Sequence, residues 1–218
     1  MPAGAPRPAL ERAPARPAGR PDKEATVMSV TPASRDEIVK LIDGAVGNAN
    51  LRRHMVATEA VMRALALRLG HDPDVWGLAG LAHDLDSEET QGEVSRHGAR
   101  AAQRLTELGL PADLVHAVAA HNPATGVAAE SPFDVALIAA DQTTGLITAA
   151  ALVRPDRSLP NVKASSVRKR LREGAFARGV DRASILRCEE LGLDLDEFLA
   201  IALGAMQGVA AELGLAGQ

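Results

Sequence analysis

The stretch Leu81-Ala82-His83-Asp84-Leu85-Asp86 constrains the fold of this chain more than any other. It closes an apolar run, Trp76–Ala82, that reads as a buried helix and carries a histidine and an aspartate side by side into the interior. A buried carboxylate has to be paired or bound to metal, because desolvating a lone charge is too costly. Neighbouring helical residues point about 100° apart. The pair can therefore grip one ion at its shared edge, or the aspartate can bridge two. Taken alone, the dipeptide also fits a plainer reading, a hydrogen-bonded core histidine beside a helix-end aspartate.

Further polar residues on apolar stripes weigh against the plainer reading. His54 shares a helical face with Leu51, Met55, Thr58, Val61, Met62 and Leu65. His97 goes with Ala101, Leu105 and Leu108; His121 follows Leu114 and Val118; Asp141 shares its face with Leu137, Ile138 and Gly145. The i, i+3, i+4 and i+7 spacings mark the inward side of helices. One inward histidine is ordinary core, but four, with two inward carboxylates, are hard to satisfy without metal. Imidazole and carboxylate donors suit iron, manganese, zinc, nickel, cobalt or magnesium rather than a thiolate-seeking ion.

The order His54, His83-Asp84, His97, His121, Asp141 resembles the HD-domain superfamily of metal-dependent phosphohydrolases, in its HDIG-like branch. The surrounding segments LRRHMVATEAVMRALA, WGLAGLAHDLD, RHGARAAQRL, LVHAVAAHN and IAADQTTGLITAA carry the resemblance, which runs from about Thr31 to Leu213 and is nearest to a bacterial group of predicted HD hydrolases. It implies that His54, His83, Asp84 and Asp141 hold one divalent ion. His97 and His121 would hold a second, with Asp84 bridging. It also selects His121 over His116, which lies five residues away and faces elsewhere, as the ligand closing its helix.

Composition agrees with an all-helical fold. Aromatic residues make up 2% of the 218, with no tyrosine and a single tryptophan, and strand-forming runs are few. A net charge of −4 argues against general nucleic-acid binding. The single Cys188 leaves no internal disulfide framework and reads as a small core residue. No uninterrupted run reaches the roughly 18 apolar residues of a membrane span. Val135–Val153 comes nearest and is broken by Asp141 and Gln142. A cytoplasmic protein is expected.

Along the chain, residues 1–30 are rich in Pro, Ala, Gly and Arg without hydrophobic period. Such a segment cannot bury enough apolar surface to offset its ordering entropy. Two readings stay open, a disordered tail or upstream sequence from an early start, with Met28 as a candidate start. Residues 31–218 are expected to form one HD-type bundle of eight or nine helices. Helices are predicted over Asp36–Val46 capped by Ser34, Asn48–Gly70, and from Asp72-Pro73 to the His83-Asp84 pair. More follow over Ser95–Leu108, Pro111–His121, Ser131–Val153, Ser165–Arg178, Asp181–Leu191 and Asp194–Leu213. The polar loop Asp86–Gly92 is expected to rim the site.

No Walker loop, dinucleotide glycine fingerprint, HExxH, GxSxG or paired CxxC occurs. The expected activity is therefore metal-dependent hydrolysis of a small-molecule phosphate ester, such as a nucleotide, by metal-activated water. Asp84 would act at the metal, and Asp86 and Glu88 would transfer protons or support the ligands. Lys163, Lys169 and Arg170, on or beside the basic stretch Ser165–Arg178, would hold the substrate phosphate. Two alternatives remain. The same ligand order is similar to di-iron oxygenases that share the HD fold, although the chain lacks the tyrosine common near such irons. A non-catalytic metal- or nucleotide-binding module is the other.

Overall fold

A computed structural model describes residues 34–217. Nine α-helices are present among them: α1 Arg35–Ala45, α2 Ala49–Leu69, α3 Pro73–Ala82, α4 Ala99–Glu107, α5 Ala112–Ala120, α6 Pro132–Leu152, α7 Ala164–Leu171, α8 Arg182–Leu186 and α9 Leu195–Gly208. Three 3-10 turns join them, Val94–Arg96, Pro123–Thr125 and Arg187–Leu191. The described residues hold no strand, only an isolated bridge between Ser158 and Ala216. The all-helical expectation therefore holds. The expectation of a disordered tail over residues 1–30 lies outside the described residues.

Local chemistry sets most helix ends. Ser34 and Glu37 form a capping box at α1, and Asn48 caps α2 by accepting from the amides of Asn50 and Leu51. Gly70 ends α2 in the left-handed conformation at φ 78°. Asp72 caps α3, and Pro73 fills its first turn. Ser131, with Asp134 three residues into the helix, makes a second capping box on α6.

The core is built on α2 and α6. α3, α6 and α9 all pack on α2, and α5 and α8 pack on α6. Fully buried Met55, Met62, Leu65, Leu114, Leu137, Leu146, Ile147 and Phe198 fill the space between them. Gly80 permits the closest approach. A Cβ there would lie 2.7 Å from the carbonyl oxygen of Thr58, so α3 touches the backbone of α2 one turn beyond His54. By length and composition α6 meets the measure of a membrane span, with a mean hydropathy of 1.4 over 18 residues, but 67% of that window is buried within the protein. Its apolar surface is what the surrounding helices pack against.

Four expected helices are shorter than the periodicity suggested, the last of them ending at Gly208 instead of Leu213. The helix expected over Ser95–Leu108 starts only at Ala99. Val94–Arg96 is a 3-10 turn, His97 is extended (φ −63°, ψ 130°) and Gly98 has φ 85°. The basic helix ends at Leu171, and the helix after Asp181 changes to 3-10 form at Arg187.

Candidate metal centre

Four helices and one turn bring the six polar residues together. His54 comes from the second turn of α2, His83 and Asp84 from the end of α3, His97 from the turn before α4, His121 from the end of α5 and Asp141 from the middle of α6. The Asp84 carboxylate lies between two groups of imidazoles. Its Oδ2 is 3.4 Å from His83 Nε2 and 3.7 Å from His54 Nε2, while its Oδ1 is 3.1 Å from His97 Nε2 and 3.8 Å from His121 Nε2. Asp141 Oδ1 joins the first group, 2.9 Å from His54 Nε2 and 3.7 Å from His83 Nε2. His97 Nε2 and His121 Nε2 face each other at 3.2 Å. Two sets of donors, His54–His83–Asp84 and Asp84–His97–His121, are thus each close enough to share an ion.

Every one of the four histidines has its Nδ1 occupied, which turns Nε2 toward this centre. His83 Nδ1 is 2.8 Å from the carbonyl oxygen of Gly80, and His121 Nδ1 is 2.6 Å from that of Val118. Both histidines are C-caps, and both reach back three residues. His97 Nδ1 meets Asp86 Oδ1 at 2.9 Å. His54 Nδ1 meets the Thr144 hydroxyl at 3.1 Å, and that hydroxyl donates to the carbonyl of Asp141. A proton on each Nδ1 leaves each Nε2 with a free lone pair, the tautomer a metal ligand needs.

The donor set fits a divalent cation. His83 Nε2 is fully buried and has no hydrogen-bond partner among the described residues. Such an atom is costly to bury unless something binds it. Donors held about 2.1 Å from an ion stand roughly 3.0–3.4 Å apart, and the site's own separations of 2.9–3.8 Å bracket that range. Imidazole and carboxylate ligands exclude no common divalent transition metal, so the chemistry of the set leaves the identity of the ion open.

The electrostatics point the same way. Burial opposes charge on His83, but Asp84 and Asp141 outweigh it and raise its pKa well above the ordinary value. Burial likewise opposes charge on His97, while Asp84 and Asp86 bring it up to about 9. Burial and the neighbouring His83 push His121 down. Burial would raise Asp84 and Asp141, yet the facing histidines hold Asp84 well below the usual carboxylate range and Asp141 below it too. The carboxylates thus demand positive charge in this pocket, supplied by protons or by a cation.

Asp86 lies behind the centre. Its carboxylate is fully buried and accepts from His97 Nδ1, from the amide of Gly98 and, at 2.8 Å, from the amide of Ala101. It caps α4 from a distance and orients His97 at the same time. With every oxygen so engaged, it supports a ligand and does not stand free to move protons. Glu88 is elsewhere. It is exposed and accepts from the amides of Gly47 and Asn48 at 3.0 and 2.7 Å, pinning the α1–α2 turn.

A cavity of about 480 Å³ opens beside His54, between α2, α6 and the C-terminal segment. Gly145, predicted to share the face of Asp141, lines it together with Thr148. Lys163, Lys169 and Arg170 do not. Arg170 is paired with Glu173 at 2.7 Å and covers the Phe176 ring, and Lys169 is exposed on α7. The cations that do line the cavity are Arg53 and Arg157. Sequence reasoning passed over Arg53, although it adjoins His54, because its helical phase is that of a solvent-facing residue. Asn122 is a second omission. It is buried, and its Nδ2 donates to the carbonyls of Val94 and His97, at 2.9 Å for the latter, holding the His97 turn. His116 faces away from the centre toward the buried Asp134, 3.1 Å from it. Burial pushes the Cys188 thiol up to about 11, in keeping with an inert core residue.

Residues 51–150, the segment from the first turns of α2 to the end of α6, match the family model described as the HD domain. That segment contains all six polar residues of the centre, and its match supports membership of the HD-domain superfamily, whose members are generally metal-dependent hydrolases. Comparison with curated proteins and with solved structures gave no match.

Proposed function

We propose that this protein hydrolyses a small-molecule phosphate ester, of which a nucleotide is one class, with water activated at a pair of divalent ions. The observation that carries the reading is the Asp84 carboxylate, whose two oxygens face two separate pairs of histidine Nε2 atoms. A divalent ion in such a site supplies a Lewis acid and lowers the pKa of bound water toward neutrality. His54, His83, Asp84 and Asp141 would hold one ion; His97, His121 and Asp84 would hold the other.

The protein's own groups do the rest. Hydrogen bonds to the carbonyls of Gly80 and Val118, to Thr144 and to Asp86 keep each imidazole in one tautomer and one orientation. Asp86 shifts electron density onto His97 Nε2 by accepting its Nδ1 proton's hydrogen bond. His83 and Asp84 are buried, while the side chains of His54 and His97 are both partly exposed to water, and a cavity opens on the side of His54. A substrate is expected to arrive by the same side.

Metal analysis of protein purified without chelator, together with phosphate release from a panel of phosphomonoesters, tests the reading. Release stimulated by manganese, nickel or cobalt supports it. Two irons with an oxygen-dependent visible absorption would replace it with oxygenase chemistry. Absence of both metal and turnover would leave a binding module.

A further inference from the structure

Most arginines of the described residues are tied to carboxylates. Arg35 and Arg63 meet Glu59, Arg68 meets Glu197, Arg104 meets Glu89, Arg154 meets Asp156 and Arg187 meets Glu190. Arg53 and Arg157 have no carboxylate partner among the described residues, yet both line the cavity that reaches His54. In a chain of net charge −4, two uncommitted guanidinium groups facing one cavity form a local positive field.

Arg53 is held through its side chain and Arg157 through its backbone. Arg53 Nη1 donates to Asn50 Oδ1 at 3.2 Å, one turn back on α2. Gly214, at φ 67°, sets the C-terminal segment against its guanidinium, where a Cβ would lie 3.5 Å away. Arg157 has φ 45°, a left-handed conformation that costs a non-glycine residue free energy. A knot around Asp156 maintains it. That carboxylate accepts from the side chains of Arg154 and Asn161 and from the amide of Ser158. The amide of Leu159 then donates to the carbonyl of Leu215 at 2.8 Å, joining this loop to the opposite wall. Leu152, Leu213 and Leu215 add apolar wall to the same cavity.

Neither arginine pairs with Asp84 or Asp141, whose partners are the histidines of the centre, so both guanidinium groups stay open to an anion in the cavity. We propose that the cavity takes an organic phosphate bearing a second anionic group, with one phosphate at the His54 side and the other anion on Arg53 and Arg157. Guanidinium groups suit this because their planar donors bind phosphate in a bidentate manner. The volume of about 480 Å³ accommodates an organic body of nucleoside size between the two charges. The inference rests on the phosphohydrolase reading for its first anion and adds the second.

Binding and turnover of adenosine 5′-monophosphate and adenosine 3′,5′-bisphosphate by the metal-loaded full chain test it. Calorimetry should show the bisphosphate binding at least tenfold more tightly than the monophosphate. Arg157→Gln and Arg53→Gln should each remove most of that preference, and the double variant all of it. Lys169→Gln should leave the preference intact, and a cooperative melt should verify that each variant is folded. Equal affinity for the two nucleotides, or a preference that survives in the double variant, overturns the inference whether or not phosphate is released. An arginine-dependent preference without phosphate release upholds the second anion site and removes the hydrolase reading instead.

Discussion

Asp84 and Asp86 lie two residues apart, and both are buried, but they do different work. Asp84 faces the metal centre with both oxygens, so Asp84→Ala should abolish phosphate release and lower metal content. The fold should survive at a lower melting temperature, because the apolar core does not rest on Asp84 but its loss leaves His83 and His97 without that carboxylate. Metal analysis, a thermal melt and phosphate-release kinetics on the variant decide this. Asp86→Ala should lose both metal affinity and rate, by about 10- to 100-fold, since loss of a partner that orients a ligand has that typical effect. A residue that only moved protons would keep the metal and lose rate alone; the buried contacts of Asp86 with His97, Gly98 and Ala101 favour the ligand-supporting role of the two expected for it. The same residues set a pH dependence. The folded-state pKa of His97 is about 9, above the ordinary histidine value of about 6.5. A raised histidine contributes stability that is fully present below the unfolded value and is lost as pH rises through the folded one. His83 shifts in the same direction. The melting temperature of chelator-treated protein should therefore fall between about pH 6.5 and pH 9, and saturating metal should remove the slope by replacing the protons. A flat profile without metal would contradict the charge balance described for the site.

Among the elements, α3 carries the most constrained placement. Gly80 brings it against the backbone of α2 and also offers the carbonyl that orients His83. A Cβ at 2.7 Å from the Thr58 oxygen cannot be accommodated by rotating a side chain. Gly80→Ala should force the helices apart, cost about 1–3 kcal/mol as overpacking does, and displace His83 from His54. The expected result is a lower melting temperature together with reduced metal content. Gly44→Ala, at a glycine with open space around it, should be tolerated. α7 illustrates the opposite case. Its basic run is a solvent-facing helix surface whose Arg168 and Arg170 are neutralised by Asp196 and Glu173. Lys169→Ala should accordingly leave KM for a phosphate ester unchanged, whereas a rise in KM would return α7 to the substrate site.

At the scale of the molecule, the centre joins helices that are far apart in the chain. α2, α3, α5 and α6 contribute ligands, and the turn before α4 adds another. The apolar core between α2, α6 and α9 does not depend on those ligands for its packing. Removing metal with a chelator should therefore keep the far-ultraviolet helical signal at room temperature while lowering the melting temperature. An ion that binds only the folded state stabilises by mass action. Loss of helical signal on chelation would show that the ion organises the fold as well as the chemistry.

Much of this was legible in the sequence because it depends on local order. Caps such as Ser34, Asn48, Asp72, Ser131 and Asp194 act within one helical turn, and the inward stripes follow from helical period alone. Those two signals determined the all-helical fold and most helix starts and, together with the family resemblance that selected His121, the set of six polar residues the structure brings together. Tertiary structure decided the rest. His97 leaves the helical pattern because a carboxylate eleven residues earlier, on Asp86, captures the amides of Gly98 and Ala101 and sets the start of α4. Helical period carries no trace of a partner so far away. Glu88 and the α7 cations read as site residues from charge and proximity in the chain, yet the first binds the α1–α2 turn and the second face solvent or one another's counter-ions. Arg53 and Arg157, more than one hundred positions apart, share a cavity only because α2, the loop after α6 and the C-terminal segment converge there. A side chain's residue type is written in the sequence, but whether its charge is answered by a neighbour or left for a ligand depends on which elements meet.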